Sequence, residues 1–251
     1  MDIKIFDTGE GLGRAAAAHA EEIVSRAIAE RGSARIIVAT GASQFAFLAA
    51  LATGTRVDWS RTTLFHLDEY VGLPADHPAT FRQYLRERVE GPLRPGRFEY
   101  VNGWAADPEA ECLRLERLIR EAPIDLACVG IGENGHLAFN DPPADFTTER
   151  AYIVVTLDEP CKQQQVGEGW FATSADVPTR AISMSIPQIL QAREIVCVVP
   201  DARKAKAVHE CVDLPVSPLH PASALQQHPR TTLFLDQASA AMLRKRQADG
   251  R

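Results

Sequence analysis

The sequence lacks the features that mark membrane-spanning, secreted and zinc-binding proteins. Its longest apolar run, Phe45 to Ala52, is far shorter than the roughly 18 residues that cross a bilayer. The five cysteines are odd in number and form no C-x-x-C pair, which disfavours both a zinc site and a disulfide framework. The first residues show no basic stretch followed by an apolar one, so no secretory signal is visible. We therefore expect a cytoplasmic protein that makes no membrane contact.

An excess of positive charge is also missing. The 251 residues include 27 basic and 33 acidic side chains, which gives a formal net charge of -6. A broad surface for nucleic acid or anionic lipid carries an excess of basic residues, so neither is an expected partner. A local basic pocket for a small anion is compatible with this charge.

Short apolar runs alternate with helical patterns along the chain. Runs bounded by turn residues predict buried strands, and apolar residues that return at helical spacing predict helices. The predicted strands are 35–39, 62–67, 125–129, 151–156, 181–185, 194–199 and 231–235, and the predicted helices are 11–31, 45–51, 80–89, 109–120, 201–213 and 236–245. This alternation indicates an α/β fold with a mostly parallel, doubly wound, Rossmann-like sheet and helices on both faces. No internal repeat or linker is visible, so residues 1–251 are expected to form a single domain.

Three loops follow predicted strands, at the edge where ligands bind in such sheets. The first is Thr40-Gly41-Ala42-Ser43. Its small residues let the backbone approach a ligand, and the next helix offers free N–H groups and a positive dipole end to a phosphate. An ordinary strand-to-helix turn with a helix cap gives the same residues, so this loop does not decide the function alone.

The second loop carries two adjacent carboxylates, Asp68 and Glu69. Neighbouring residues point in different directions, so at most one of them faces a given site. In one interpretation Asp68 caps the next turn and Glu69 is solvated. In the other, one of the two is a general base at the ligand edge. The segment alone favours neither.

The third loop, residues 130–143, holds a histidine among glycines. His136 is followed five positions later by Asp141 and preceded by Asn134. A histidine titrates near neutrality and a nearby carboxylate can orient it, so this arrangement suits proton transfer. The glycines do not run as G-x-G-x-x-G into a helix, which disfavours a dinucleotide cofactor. No cofactor and no metal are expected.

Two of these loops carry recognisable motifs. Residues 67–73 read L-D-E-Y-V-G-L, and residues 130–142 read G-I-G-E-N-G-H-L-A-F-N-D-P, with weaker matches at 203–207 and 221–228. With these motifs the chain resembles the glucosamine-6-phosphate deaminase family, within the wider group that includes 6-phosphogluconolactonases. The resemblance covers nearly the whole chain. In the lactonases the first motif runs D-E-R or similar and the histidine is followed by T-A-S, whereas this chain continues A-F-N-D.

The resemblance implies an enzyme that converts glucosamine 6-phosphate to fructose 6-phosphate and ammonia, with the fold of the deaminase, ribose-phosphate isomerase and CoA transferase type. It implies that Asp68 takes the C2 proton and that His136 carries the proton for ring opening. Asp141 would support the histidine and Asn134 would act by positioning. Many relatives have Asp at position 134 and Glu at position 141. The shorter Asp141 side chain predicts a backbone shift or a looser, water-bridged contact with His136.

For the substrate phosphate, the resemblance implies the first loop and Lys204. Many relatives add an arginine from the segment that corresponds to 161–171, and this chain has none there. Lys162, Gln165 or Arg180 is expected to substitute for it. Glycines and aromatic residues near the end of that segment predict a mobile flap over the pocket, around 144–178.

Two other functions stay open at this stage. In a sugar-lactone hydrolase His136 would activate water, but the residues after it disfavour this function. A non-catalytic sugar-phosphate sensor could keep Thr40 and Lys204, but it would not need Asp68, His136 and Asp141 together. The sequence does not separate the gluco from the galacto epimer, a homo-oligomer from a monomer, or regulated from unregulated forms.

Overall fold

The structure is a computed structural model that describes residues 1–244. Its strands are β1 (Asp2–Phe6), β2 (Ala34–Val38), β3 (Thr62–His66), β4 (Asp68–Tyr70), β5 (Arg97–Glu99), β6 (Leu126–Val129), β7 (Tyr152–Thr156), β8 (Arg180–Met184), β9 (Glu194–Val199) and β10 (Thr231–Asp236). Its α-helices are α1 (Gly9–Arg31), α2 (Phe45–Thr53), α3 (Phe81–Leu85), α4 (Gly91–Leu93), α5 (Pro108–Ile119), α6 (Glu159–Gly167), α7 (Ile186–Ile189) and α8 (Ala205–Asp213). A π-helical turn at Arg86–Glu90 joins α3 to α4, and single 3₁₀ turns at Ala42–Gln44 and Ala202–Lys204 lead into α2 and α8.

Seven strands form a parallel sheet in the order β1-β10-β9-β6-β2-β3-β5. The central strand β6 is buried along its whole length, as expected where helices cover both faces. Because side chains alternate across a strand, Ile36 faces one core and Ile37 the other. The first core packs against α1, α2 and α3, and the second against α5 and α8. The predicted single-domain α/β fold is therefore confirmed for the described residues.

Helix α1 shows how the local sequence builds this packing. The Thr8 hydroxyl caps its first turn by accepting a hydrogen bond from Gly11 N at 3.1 Å, and Gly32 ends it with a φ of 83°. Its small and apolar residues face the sheet and α2. Gly13 is needed there, since a Cβ would lie 2.7 Å from backbone and side-chain carbons of Ala46 in α2.

A second, antiparallel sheet carries three strands in the order β4-β8-β7. The sequence interpretation assigned segments 151–156 and 181–185 to the one parallel sheet, and this was wrong. The residues of a strand do not show which strand it pairs with. Strand β4 is short and polar, so no apolar run predicted it. Only Leu67 separates β4 from β3, so the small sheet starts at the ligand edge of the large one.

The two ends of the described chain also differ from the sequence interpretation. Strand β1 was not predicted, because it is a short edge strand whose side chains are partly exposed. A helix was expected at 236–245, but Asp236 ends β10 and residues 237–242 form turns; residue 245 lies outside the described range. Ser239 N donates to Asp236 Oδ1 at 2.7 Å, and Asp236 N donates to the Ser239 hydroxyl at 3.1 Å. These local bonds compete with a helix for the backbone.

Across residues 1–244, we find no helix with the length and apolar character that a membrane crossing requires.

Candidate active site

A cleft lies at the carboxyl ends of the parallel strands. The loops after β2, β3, β6 and β9 all contribute to its walls. Strand β2 lies between β3 and β6, so the first loop separates the second from the third, and all three loops reach the same cleft. Six of the predicted site residues line it: Thr40, Gly41, Ser43, Asp68, His136 and Lys204.

Asp68 begins β4 and is only 5% exposed. Its Oδ1 is buried and makes no hydrogen bond to any residue of the described part of the chain. Burial, and to a smaller extent the neighbouring Glu69, raises the pKa of Asp68 well above its usual value. An unpaired carboxylate with a raised pKa is a stronger base than one in water, which suits proton abstraction.

Glu69 points away from the cleft and caps α3. Its Oε2 accepts a hydrogen bond from Arg82 N at 2.8 Å, and its Oε1 accepts from Phe81 N at 3.2 Å and Tyr70 N at 3.0 Å. Burial raises the pKa of Glu69 to about 7, and these backbone contacts oppose the shift. The interpretation in which Asp68 caps the turn and Glu69 is solvated is therefore wrong, since Glu69 is the buried cap.

His136 is held from behind by a polar cluster. Its Nδ1 lies 3.2 Å from Asp141 Oδ1, and its backbone N donates to Asn134 Oδ1 at 3.0 Å. Asn134 Nδ2 donates to Asp141 Oδ1 at 3.0 Å, and Asp158 N donates to Asp141 Oδ2 at 3.2 Å. Burial works against the charged form of Asp141, but His136, Asn134 and the Asp158 N–H together hold its pKa below the usual value. The contact between His136 Nδ1 and Asp141 is direct at 3.2 Å but lacks hydrogen-bond geometry, which corresponds to the looser contact that the shorter Asp141 side chain led us to expect.

The backbone of the third loop brings the imidazole close to a glycine. A Cβ at Gly132 would lie 2.2 Å from His136 Nε2, so a side chain there would collide with the ring. Gly132 N also donates to His136 O at 2.9 Å, and Gly135 turns the chain with a φ of 84°. Ala138 adopts a φ of 54°, which is unusual for a residue with a side chain. The loop is shaped around the histidine.

One group in residues 1–244 has the donor atoms of a metal site. These are His136, Asp141 and Cys161, whose ligand atoms all lie within 4.8 Å of one another. A metal would have to replace the His136–Asp141 contact and remove the thiol proton. Burial and the nearby carboxylates raise the pKa of Cys161, which opposes that deprotonation. The group fits a hydrogen-bonded proton-transfer cluster better than a metal centre.

The first loop and Lys204 meet at the other end of the cleft. Gly41 has a φ of 99°, which turns the loop backbone before α2, and Ala42 lines an adjoining cleft that Lys204 shares. Lys204 is 4% exposed and forms no ion pair within residues 1–244. Burial lowers its pKa. A buried ammonium group without an ion-pair partner, close to the N–H groups that open the next helical segment, is a suitable partner for an anion.

None of the expected substitutes for the missing arginine supplies a charge here. Arg180 is exposed at the start of β8 and does not line the cleft, and neither does Lys162. Gln165 does line it, but its Oε1 accepts a hydrogen bond from the Tyr70 hydroxyl at 2.7 Å.

Two cleft residues were missed from the sequence. Gln164 and Glu168, in and just after α6, line the cleft beside the first loop. Gln164 Oε1 accepts from Glu133 N at 2.9 Å, and its Nε2 donates to Glu168 Oε1 at 2.8 Å. The sequence signal that could have revealed them was Asp158, a residue type that favours a helix start. Its side chain caps α6 by accepting a hydrogen bond from Cys161 N at 2.7 Å. The start of the helix determines which residues lie on its polar face.

Comparisons with known proteins agree with this fold. Residues 7–234 match the family described as glucosamine-6-phosphate isomerases/6-phosphogluconolactonase, and the chain belongs to that family. Among its relatives, the glucosamine-6-phosphate deaminase of Bacillus thuringiensis (strain Al Hakam) is 35% identical over 250 residues, or 99% of this chain and 92% of that protein. The deaminase of Bacillus cereus (strain AH820) matches equally well.

Solved structures give the same result. A glucosamine-6-phosphate deaminase described as monomeric superposes with a TM-score of 0.89 and 30% identity, covering 96% of this chain and 100% of that one. The 6-phosphogluconolactonase of Thermotoga maritima superposes with a TM-score of 0.76 over 94% of this chain and 99% of that one. Because its sequence identity is only 17%, this similarity concerns the fold alone.

Proposed function

We propose that the protein is a glucosamine-6-phosphate deaminase, which converts glucosamine 6-phosphate and water to fructose 6-phosphate and ammonia. The observation that carries this proposal is the pairing, in one cleft, of an unpartnered buried carboxylate with a carboxylate-supported histidine. The reaction needs two kinds of proton transfer, one at oxygen and one at carbon, and these two groups supply one each.

His136 serves the ring-opening step. Asp141 and Asn134 fix the ring and the loop from behind, which leaves Nε2 free to reach the substrate. The histidine gives a proton to the ring oxygen while the C1 hydroxyl loses one, and the open-chain aldehyde results. A support of this kind sets which nitrogen carries the proton.

Asp68 serves the carbon-bound step. It removes the proton from C2 of the open-chain amino sugar while the C1 carbonyl oxygen takes up a proton, which gives an enolamine with a double bond between C1 and C2. Asp68 then returns its proton to C1 while the nitrogen lone pair forms a double bond to C2 and the nitrogen gives up one proton. The product of this transfer is an imine at C2. Water adds to that carbon and ammonia leaves, which gives the ketose phosphate. Every step is a proton transfer or an addition of water, and no redox change occurs.

The phosphate is assigned to the first loop and Lys204. The N–H groups that open the helical segment from Ala42, the Ser43 hydroxyl and the Lys204 ammonium face the same end of the cleft. The segment 144–178, which contains α6, is proposed to act as a flap over this end. We further propose that the protein acts in the cytoplasm, because five free thiols suit a reducing compartment. We also propose that it acts as a monomer, like its structural neighbour, rather than as the homo-oligomer that the sequence left open.

The reaction is tested with purified, chelator-treated protein and no added cofactor. Glucosamine 6-phosphate should yield ammonia and fructose 6-phosphate in equal amounts, and galactosamine 6-phosphate in the same assay tests the epimer. A sugar-phosphate lactone, supplied in parallel, should not be hydrolysed faster than in buffer. Activity that disappears with chelator and returns with a divalent ion would contradict the metal-free mechanism, and lactone hydrolysis without ammonia release would contradict the reaction.

A further inference from the structure

The segment between β7 and β8 brings a negative charge to the anion end of the cleft. Glu168 directly follows α6 and lines the main cleft together with Lys204 and Ser43. It also lines the adjoining cleft, next to Ala42 and Arg203. A carboxylate is unexpected at a place where a dianionic phosphate is assigned, because the two charges repel each other at short range.

The carboxylate makes the contact that a phosphate oxygen would make. Glu168 Oε2 lies 3.4 Å from the backbone N–H of Ala42, the first residue of the helical segment that follows the first loop. A Cβ at Gly41 would lie 3.8 Å from the same oxygen. Glu168 is therefore seated on the backbone that the phosphate is expected to use.

Other contacts hold this carboxylate in place. Gln164 Nε2 donates to Oε1 at 2.8 Å, and Trp170 Nε1 donates to Oε2 at 3.2 Å. The Trp170 ring packs edge-on against Tyr84, whose hydroxyl donates to Gly41 O at 2.9 Å. Trp170 therefore both holds Glu168 and, through Tyr84, connects the proposed flap to the first loop.

Lys204 is the neighbouring cation without an ion-pair partner in residues 1–244. Burial lowers the pKa of Lys204, and the field of Glu168 opposes this by favouring the charged form. Arg203 has partners of its own, since it forms ion pairs with Asp201 at 3.0 Å and Glu133 at 3.5 Å. Without a bound anion, Glu168 therefore partly neutralises Lys204. With a phosphate present, that neutralisation is no longer needed and the carboxylate is displaced by repulsion.

We propose that Glu168 is an affinity-determining residue that occupies the phosphate position until the substrate displaces it. This inference rests on the proposed phosphate end of the cleft. Phosphate entry then requires the carboxylate, and with it the end of α6, to move away from Ala42. Glu168 weakens the binding of every ligand that carries the phosphate and leaves ligands without it unaffected.

Glu168→Gln tests this, because it keeps the shape and hydrogen-bonding capacity but removes the charge. Calorimetric titration of the full chain with inorganic phosphate should give a Kd on the order of tenfold lower in the variant, as for one charge-assisted contact. KM for glucosamine 6-phosphate should fall in parallel while kcat changes little. The matched control is Glu159→Gln, an exposed carboxylate on the same helix outside both clefts, which should leave both constants at the parent values.

The outcomes separate this inference from the proposed function. If the parent binds phosphate and Glu168→Gln binds it no more tightly, the inference is wrong and the phosphate assignment stands. If the variant binds more weakly, Glu168 instead contributes to ligand binding, and the inference is equally wrong. If neither protein binds phosphate while ammonia release persists, the phosphate assignment fails and takes this inference with it.

Discussion

Asp68 and Glu69 are adjacent carboxylates with different surroundings. Glu69 accepts three backbone hydrogen bonds, whereas the buried oxygen of Asp68 accepts none. Strand geometry causes this difference, because neighbouring side chains of β4 point to opposite faces of the small sheet. One face holds the start of α3 and the other the cleft.

Asp68→Asn should therefore separate the two proton transfers when compared with His136→Gln. Loss of the base is expected to lower kcat by about 10²–10⁴-fold, the usual effect of a positioned acid or base. His136→Gln should impair ring opening and leave the carbon-bound transfer intact. Exchange of the C2 proton with solvent, followed by NMR on an analogue fixed in the open-chain form, measures that transfer directly. We expect exchange with the His136 variant and none with the Asp68 variant.

Exchange at the parent rate in Asp68→Asn would place the base elsewhere. Glu69 is an unsuitable replacement, since its oxygens face backbone N–H groups of α3.

Lys204 is the second residue whose burial points to a ligand. Lys204→Ala should raise KM for the phosphorylated sugar by about 10- to 100-fold, because a hydrogen bond to a charged group contributes roughly 1.5–3 kcal/mol. The control is Lys206→Ala, two positions further on, where the side chain is 73% exposed and pairs with Glu210. Steady-state kinetics should show the change in the first variant alone. Equal KM values for the two variants would remove Lys204 from the phosphate assignment.

At this scale the order and spacing of the motifs indicated Asp68 and His136, which line the cleft, and Asn134 and Asp141, which contact the histidine from behind. They did not indicate Glu168, because one glutamate after a helix has no distinctive spacing. Its position depends on how α6 lies over the first loop, which is a tertiary property.

Among the elements, the third loop depends most on a single backbone position. Gly132→Ala should displace the His136 ring, since the added carbon would lie 2.2 Å from Nε2. We expect a loss of kcat comparable to that of His136→Gln, with a modest loss of stability. The control is Gly167→Ala at the end of α6, where an added Cβ meets no atom within 4 Å. Ammonia-release assays and thermal melts of both variants measure the effect, and full activity in Gly132→Ala would show that the ring tolerates a shift.

Element prediction succeeded where a strand is buried on both faces. The runs at 35–39 and 125–129 are apolar for that reason, and both belong to the parallel sheet. In the small sheet it found β7 and β8 but missed β4, which is short and polar and owes its conformation to pairing with β8. The predicted helix at 236–245 does not form over the described residues for a local reason, because hydrogen bonds between Asp236 and Ser239 compete for the backbone.

The raised pKa of Asp68 affects the stability of the whole molecule. Between the ordinary Asp pKa, about 3.9, and the higher value in the folded protein, the native state holds a proton that the unfolded chain has released. This contribution to stability is complete below the unfolded pKa and is lost as pH rises through the folded pKa. Asp68→Asn has no such titration.

The free energy of unfolding of Asp68→Asn should therefore exceed that of the parent by a margin that grows as pH rises above about 4, the ordinary Asp pKa. The slope is limited to about 1.4 kcal/mol per pH unit for a single group. Urea denaturation of both proteins across this range measures it. Parallel stability curves would mean that Asp68 titrates normally, which would also weaken its assignment as a strong base.

The five cysteines lie at different depths of this architecture, and all of them are free and buried. Cys128 and Cys197 lie on the adjacent strands β6 and β9, whereas Cys161 packs in α6 with Tyr70 and Phe171. We expect a thiol reagent to reach Cys161 when the proposed flap of residues 144–178 lifts, and to reach the strand thiols only when the parallel sheet opens. The labelling rate of Cys161 would therefore measure how often the proposed flap opens to admit a substrate. The labelling rates of Cys128 and Cys197 would measure how often the sheet itself unfolds.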